Sequence, residues 1–475
     1  MFVGRVKEKQ QLIDTYKSSK SALVIIYGRR RIGKSILIHE FTQDKPALCF
    51  EALESAQTQE QIDHFTTQLK LQLTSPLFAN LSFNRWEDAF NFITEYCKTQ
   101  EQKLIISFDE FQWMAAGRTK LVTLIKFYWD NYWKQHNTML ILCGSIASYM
   151  VNRVIKSKAL YGRSSLEIKL DELSSYESYQ LLKKKRSWEE TLQYLLILGG
   201  IPKYLEEINT NKSLPQNIND LFFKRNSIFR NELDKIFYAQ FKAPQKYRKI
   251  VSLLSSGPMT LDAIATKLKA SSGGSLKSYL DHLQLAGFIR AISPFGKKPN
   301  SKYKAYKLSD PYLIFYFKFI EPNLSSIEDN TSRNLFNLLV EKHWQSWLGI
   351  RFESFCATSN EYLATVMGFN DTVISAAPYF EKASGKSGNS QGFQIDLLYE
   401  RADKTITLCE VKYHKQPLDA TIIAEVERKC QKFKVPRGYT LEKAIISLYG
   451  VDQKTRDSGY FHHIVAGEDL FKTPL

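Results

Sequence analysis

Residues 28–35 read Gly28-Arg29-Arg30-Arg31-Ile32-Gly33-Lys34-Ser35, the spacing of a phosphate-cradling loop. Its two glycines let the backbone fold tightly enough to aim N–H groups at phosphate oxygens. Lys34 then reaches the β- and γ-phosphates, and Ser35 offers a hydroxyl to Mg²⁺. Further along, the run Lys103 to Phe108 ends in Asp109-Glu110. Behind such a loop, Asp109 would hold Mg²⁺ and Glu110 would orient or deprotonate an attacking water. A third run, Thr138 to Cys143, ends in Gly144-Ser145, where a hydroxyl could sense the γ-phosphate. Far from these, Asp396 precedes Glu410-Val411-Lys412. Two carboxylates able to share a hard cation beside a lysine suit metal-dependent phosphodiester chemistry: Mg²⁺ would polarise the phosphate and Lys412 would stabilise developing charge.

These groups need elements to position them. Ser21 to Tyr27 is a short apolar, β-rich run suited to a buried parallel strand, and Ile36 to Phe41 continues at helical spacing. The helix that begins at Lys34 adds its positive end to the phosphate site. Strand-like and helix-like segments then alternate to Cys143, predicting an α/β fold with a parallel sheet that binds ligands at the strands' carboxyl ends. From Lys246 to Leu254, Leu261 to Leu268 and Ser275 to Ala286, apolar residues recur at helical spacing. Two strands follow, Phe288 to Ile292 and Tyr303 to Leu308, joined by a Pro/Gly/Lys-rich loop. That order predicts a winged helix, with Ser275 to Tyr279 opening the recognition helix and Lys297, Lys298 and Lys302 on the wing, neutralising phosphates without reading sequence.

In the last third, an amphipathic helix is expected over Leu335 to Phe355. The runs 392–398 and 405–412 read as strands joined by a turn over 400–404. Pairing across that turn sets Asp396 opposite Leu408 or Glu410, and strand alternation puts Glu410 and Lys412 on one face. The segment from Lys382 to Gly392 reads as a loop.

The chain has 475 residues, enough for about three domains. Its charge is uneven: residues 241–320 hold fourteen Lys/Arg against three Asp/Glu, most of the whole chain's net +16. A basic block of this kind favours an anionic partner, nucleic acid and most simply DNA, over residues 241–320 and 330–475. The six cysteines, at 49, 97, 143, 356, 409 and 430, show no metal-ligand spacing. They read as buried thiols in a reducing compartment. The amino terminus lacks the apolar core of a secretory signal, and no stretch approaches the ~20 apolar residues of a membrane span. A cytoplasmic protein without a membrane partner is expected, and self-association is compatible with the sequence.

The succession Phe2-Val3-Gly4-Arg5, Gly28 to Ser35, Phe108-Asp109-Glu110-Phe111-Gln112, Cys143-Gly144-Ser145, Leu160-Tyr161-Gly162-Arg163 and Gly199-Gly200-Ile201-Pro202-Lys203-Tyr204-Leu205 resembles the archaeal-type ATPases of the STAND branch of AAA-related P-loop proteins. The resemblance implies ATP and Mg²⁺ as ligands and hydrolysis of ATP to ADP and phosphate. It implies adenine near Val3 and Gly4, a sensor at Ser145, a finger or sensor arginine at Arg163 and a lid contact at Pro202. Arg163 could instead cap a helix or pair with a local acid, and Pro202 could be only a turn. Three loop arginines are too many for one phosphate, so at least one is expected to make structural or intersubunit contacts.

The carboxyl-terminal set resembles the PD-(D/E)xK nucleases, which adds Glu353 as a preceding helical acid and Asp396, Glu410 and Lys412 as catalytic positions. The implied order is a P-loop ATPase core over 1–170, a helical lid over 171–238, a winged helix over 239–325 and an α/β restriction-endonuclease-like domain over 330–475. The function expected is an ATP-hydrolysing switch coupled to DNA binding and metal-dependent DNA cleavage. The alternative is a signalling or scaffold NTPase whose nuclease-like domain is not catalytic and which has no DNA role.

Overall fold

The computed structural model describes residues 2–473 apart from 74, 76–77, 116–119, 146–148, 183–184, 272, 294, 297–303, 330–333 and 382–391. The wing residues Lys297, Lys298 and Lys302, and all but Gly392 of the loop expected over 382–392, lie outside the described residues.

The amino-terminal sheet is parallel, in the order β2 (Ala47–Glu51), β3 (Leu104–Asp109), β4 (Thr138–Gly144), β1 (Ala22–Gly28), β5 (Leu166–Leu170). Nearly every residue of β1, β3 and β4 is buried, as expected of parallel strands covered on both faces. Side-chain alternation divides the core in two. Val24 and Ile26 face one apolar layer that continues into the following helices. Leu23 and Ile25 face the other, which is rich in Phe50, Phe65, Phe90, Phe108 and Trp133. Because β4 lies between β1 and β3, the residues ending β4 stand between the phosphate loop and Asp109.

After β5 come short helices, chiefly Ser175–Leu182, Trp188–Leu198, Pro202–Glu206 and Glu232–Gln240. Three helices follow, Pro244–Leu254, Leu261–Leu268 and Gly274–Leu285, with an antiparallel sheet ordered β6 (Met259–Thr260), β8 (Ala305–Leu308), β7 (Ile289–Ile292). This is winged-helix topology. Gly287 (φ 79°) turns the third helix into β7.

The carboxyl-terminal sheet is mixed, in the order β13 (His463–Ala466), β12 (Thr440–Ser447), β11 (Thr405–Lys412), β10 (Phe393–Arg401), β9 (Val373–Glu381). The hairpin pairs Leu397 with Cys409 and Leu398 with Leu408, so Asp396 and Glu410 are the next opposed positions and the Leu408 register does not occur. The single helix expected over 335–355 breaks at Val340 into Leu335–Leu339 and Glu341–Thr358. Its first turn is drawn aside: the Phe336 N–H donates to Asn219 Oδ1 at 2.9 Å and the Phe336 ring meets Trp344, while Trp347 packs against Phe315 and Phe319. The same sheet is seated on the earlier helices through Trp188, Tyr449 and Phe471, with the Tyr449 hydroxyl donating to Glu189 at 2.9 Å.

Candidate functional site

β1 runs directly into the phosphate loop. Gly28 passes so close to β5 that a Cβ would fall 2.4 Å from the Leu170 carbonyl oxygen, a space only glycine fits. Gly33, at φ 92°, turns the loop into the helix Lys34–Thr42. The Lys34 ammonium donates back to the carbonyls of Gly28 (3.3 Å) and Arg29 (3.1 Å) and is 5% exposed. Ser35 is exposed. Pro202 sits over the loop, its Cγ 3.9 Å from where a Cβ of Gly33 would be. Val3 and Gly4 lead into Arg5, whose N–H donates to Glu177 and whose guanidinium donates to the Ile32 carbonyl at 3.1 Å. The amino-terminal segment, the loop and the helix Ser175–Leu182 are thereby clasped together.

At the carboxyl end of β3, Asp109 Oδ1 accepts the Glu110 N–H at 2.8 Å, and Glu110 is held in the left-handed region at φ 49°. Such a backbone in a non-glycine residue costs on the order of 1 kcal/mol or more and is characteristic of functional sites. The Glu110 carboxylate accepts the Ser145 hydroxyl at 2.7 Å and the Gln112 amide, while Gln112 also reaches Ser145 at 3.2 Å. Gln112 Oε1 is buried without a partner. Gln112 thus joins the site as a residue the motif contained but whose role spacing did not reveal. Ser35 and Asp109 supply oxygen donors of the kind Mg²⁺ prefers, so this end of the sheet fits the ion.

The three loop arginines part company. Arg30 pairs with Glu54 at the surface, 3.1 Å away. Arg29 is buried and forms an ion pair with Asp310, which caps the helix Pro311–Phe315 just after β8. Arg29 also lies over the rings of Phe288 and Tyr204. Arg31 pairs with fully buried Glu232, which also accepts the Tyr204 hydroxyl at 2.9 Å. Burial would lower the charge on Arg29, but Asp310 more than offsets it and holds its pKa above the ordinary value. Burial raises the pKa of Glu232 against the opposing pull of Arg31.

Arg163 is not brought to the phosphate loop. It precedes β5, whose other end, Leu170, meets Gly28; that separation is on the order of 15 Å or more at strand spacing. There it grips Asp130 bidentately at 2.8 and 2.9 Å. As a finger for this chain's own nucleotide it is misplaced, because the turn it occupies belongs to the sheet's amino end.

The carboxyl-terminal acids do converge. Asp396 Oδ2 accepts the Val411 N–H at 2.9 Å. Glu410, 1% exposed, accepts Lys429 through both oxygens (2.7 and 2.5 Å) and Lys412 at 2.9 Å. Lys412 also donates to Glu425 at 2.7 Å. Glu353 is close enough to feel Lys412 and Glu410. Burial raises the pKa of Glu353, Asp396 and Glu410, and Asp396 adds to the rise at Glu410. Burial disfavours the Lys412 cation, yet Glu410 and Glu425 push its pKa up overall. Among the described residues no group of three or more His, Cys, Asp or Glu is arranged to hold a metal ion. Lys429, on the helix Thr421–Lys432, occupies the carboxylate that a cation would need. The only sequence signal for it was its place one turn after Glu425 on an amphipathic helix.

On the winged helix, Lys277 and Ser278 are exposed at the start of the third helix, with Leu276 and Leu280 buried beneath them. Four cysteines are buried, Cys49 and Cys430 are half-buried, and all six are free. No helix among the described residues is long and apolar enough to cross a membrane.

Residues 2–208 match a family described as an ATPase domain predominantly from Archaea. Residues 316–428 match a second family, described as archaeal and bacterial proteins of unknown function. An uncharacterized protein of Methanocaldococcus jannaschii is 29% identical over 420 residues, covering 87% of this chain and 88% of that protein. An uncharacterized ATP-binding protein of the same organism is 44% identical over 45 residues, 10% of this chain and 76% of that protein. Among solved structures, a Walker-type ATPase of Pyrococcus abyssi aligns with a TM-score of 0.48 at 17% identity, over 66% of this chain and 96% of that one.

Proposed function

We propose that the chain, whose residues 2–208 match an ATPase domain predominantly from Archaea, is an ATP-hydrolysing switch whose nucleotide state is transmitted to a DNA-binding winged helix. One observation carries the reading: two arginines of the phosphate loop pair with buried acids that bracket the winged helix, half-buried Arg31 with Glu232 before it and buried Arg29 with Asp310 after it. A loop that changes shape around phosphates must move or break these pairs.

In this reading the N–H groups of Arg29 to Lys34 receive the phosphates, and Lys34 exchanges two loop carbonyls for a β/γ oxygen. Ser35 and Asp109 hold Mg²⁺, which neutralises charge on the phosphates when bound. Glu110 accepts the proton of the attacking water. Gln112 and Ser145 fix that carboxylate, and Ser145, between loop and base, exchanges its bond to Glu110 for one to the γ-phosphate. Val3 and Gly4 border the adenine, and Pro202 closes over Gly33.

For DNA, Lys277 and Ser278 face outward where a recognition helix meets its groove, on a segment with a large basic excess. Metal-dependent cleavage is a second reading, favoured by the convergence of Glu353, Asp396 and Glu410 with Lys412. It requires Lys429 to release Glu410. Both readings are tested by incubating the full chain with plasmid, single-stranded and branched DNA, with and without ATP and with Mg²⁺ or Mn²⁺. The expected result is salt-dependent binding whose affinity changes with ATP. Nicking lost in Asp396→Ala and Lys412→Ala would support cleavage, whereas no binding at low salt would instead support a scaffold NTPase.

A further inference from the structure

The wing hairpin carries a charge arrangement that its own fold does not explain. Arg290 and Lys307 are directly opposed across β7 and β8. Like charges at such positions repel and weaken the hairpin. Neither has an acidic partner among the described residues; Lys307 donates only to the Ser354 hydroxyl, 3.2 Å away on the helix Glu341–Thr358. That contact closes the hairpin against the carboxyl-terminal domain. One turn earlier on the same helix, Arg351 is 6% exposed, and its Nε has no hydrogen-bond partner.

Three cations therefore share one seam. Burial lowers the pKa of Arg351 to about 10 and lowers that of Lys307, which Arg351 and Arg290 push down further. The acids in reach are not bonded to them: near Arg351, Asp310 is taken by Arg29 and Glu172 accepts the Gly200 N–H, and Glu353 faces both Lys307 and the Glu410/Lys412 group. Lys307 and Arg351, drawn out of water with no acid bonded to either, are disfavoured as cations unless an anion is supplied. Folding gives no reason to gather three of them.

We propose that the seam between the wing hairpin and the carboxyl-terminal domain is a phosphodiester site, in which Arg290 and Lys307 hold one backbone phosphate of a nucleic acid, backed by Arg351 and adjacent to Glu353, Asp396 and Glu410. This rests on the nucleic-acid reading above and deepens it. The hairpin and the carboxyl-terminal domain then grip the same strand, so contact made through the winged helix presents a backbone phosphate to the acidic group. Arg290 is the exposed entry and Lys307 the half-buried stop. Planar Arg290 forks onto two phosphate oxygens, and Lys307 contributes a point charge.

The test is fluorescence anisotropy of labelled single-stranded and duplex oligonucleotides with the full chain, titrated with salt. The variants are Arg290→Gln/Lys307→Gln and the charge-preserving Arg290→Lys/Lys307→Arg. Parallel melting curves are recorded with and without inorganic phosphate. The proposal expects the Gln pair to weaken binding by at least about tenfold, the scale of one lost charge-assisted contact. It also expects the slope of log affinity against log salt to fall by about 1, with both restored in the charge-preserving pair. Wild-type affinity and slope in a folded Gln pair overturn the site while leaving nucleic-acid binding in place. If wild type binds no oligonucleotide but phosphate raises its Tm, and not that of the Gln pair, the seam takes a free phosphate and the phosphodiester assignment fails together with the nucleic-acid reading. No response to either ligand overturns both.

Discussion

The two candidate sites use their lysines in opposite ways. At the phosphate loop, Lys34 donates, among the described residues, only to two backbone carbonyls, neutral acceptors that an anionic phosphate would displace. At the carboxyl-terminal sheet, Lys412 and Lys429 both donate to one buried carboxylate, Glu410. The first site leaves its cation without a bonded acid, whereas the second pairs its cations with Glu410. Correct residue types at correct spacing are common to both; what separates them is the partner each charge already has.

That contrast is sharpened most strongly at Glu110. Glu110→Gln removes the proton acceptor but keeps the amide-sized side chain near Gln112 and Ser145. Hydrolysis is expected to fall by about 10²–10⁴-fold while ATP still binds, measured by phosphate release and by nucleotide-dependent Tm. A loss of binding instead would make Glu110 a positioning residue.

Next is the link from loop to wing. Arg29→Ala leaves Asp310, 0% exposed, without its counter-charge, an effect of about 3–5 kcal/mol by denaturant unfolding. Arg29→Met combined with Asp310→Leu should recover most of that stability yet abolish any effect of ATP on DNA affinity. If the double variant still couples, the route does not pass through this pair.

A third prediction separates the sites by pH. Burial raises the pKa of Glu353, so the folded state holds its proton more tightly than the unfolded one. The stability this contributes is present below about 4.5 and is lost as pH rises through the raised folded value. Glu353→Gln imitates the protonated form. It should match wild type near pH 4 and become progressively more stable than wild type above that, checked by urea midpoints from pH 4 to 8. A constant offset would show that Glu353 is not paying for its charge in the fold.

The smallest effect is expected at Arg163. Its pair with Asp130 is partly exposed, so Arg163→Ala should cost about 0.2–1 kcal/mol and leave turnover unchanged. A tenfold or greater fall in kcat that depends on protein concentration would instead place this arginine in the site of a second copy.

Much of this was legible in the chain because local patterns dictate it. Apolar runs ending in Gly28, Asp109 and Gly144 become buried parallel strands. Helical periodicity to Ala286 with Gly287 behind it becomes the third helix of the winged fold. Alternation in the hairpin brings Glu410 and Lys412 together. What was not legible depends on distance along the chain: Arg29 meets Asp310 across 281 residues, and nothing near either residue announces the other. Asp310 caps the helix Pro311–Phe315 with one carboxylate oxygen, and its second is committed to Arg29. Lys429 escaped notice for the same reason, since a lysine on an amphipathic helix ordinarily faces water. The break at Val340 was hidden because a side-chain amide, Asn219 of an earlier segment, bends the helix from outside.

The central claim is that Gly28 to Ser35, with Asp109, Glu110 and Ser145, hydrolyses ATP. Steady-state phosphate release by the full chain with Mg²⁺, compared between wild type and Lys34→Ala, tests it most directly. The account predicts turnover in wild type and a loss of at least about a hundredfold in the variant, the scale expected when a phosphate-stabilising cation is removed. Equal turnover in the two proteins would contradict it.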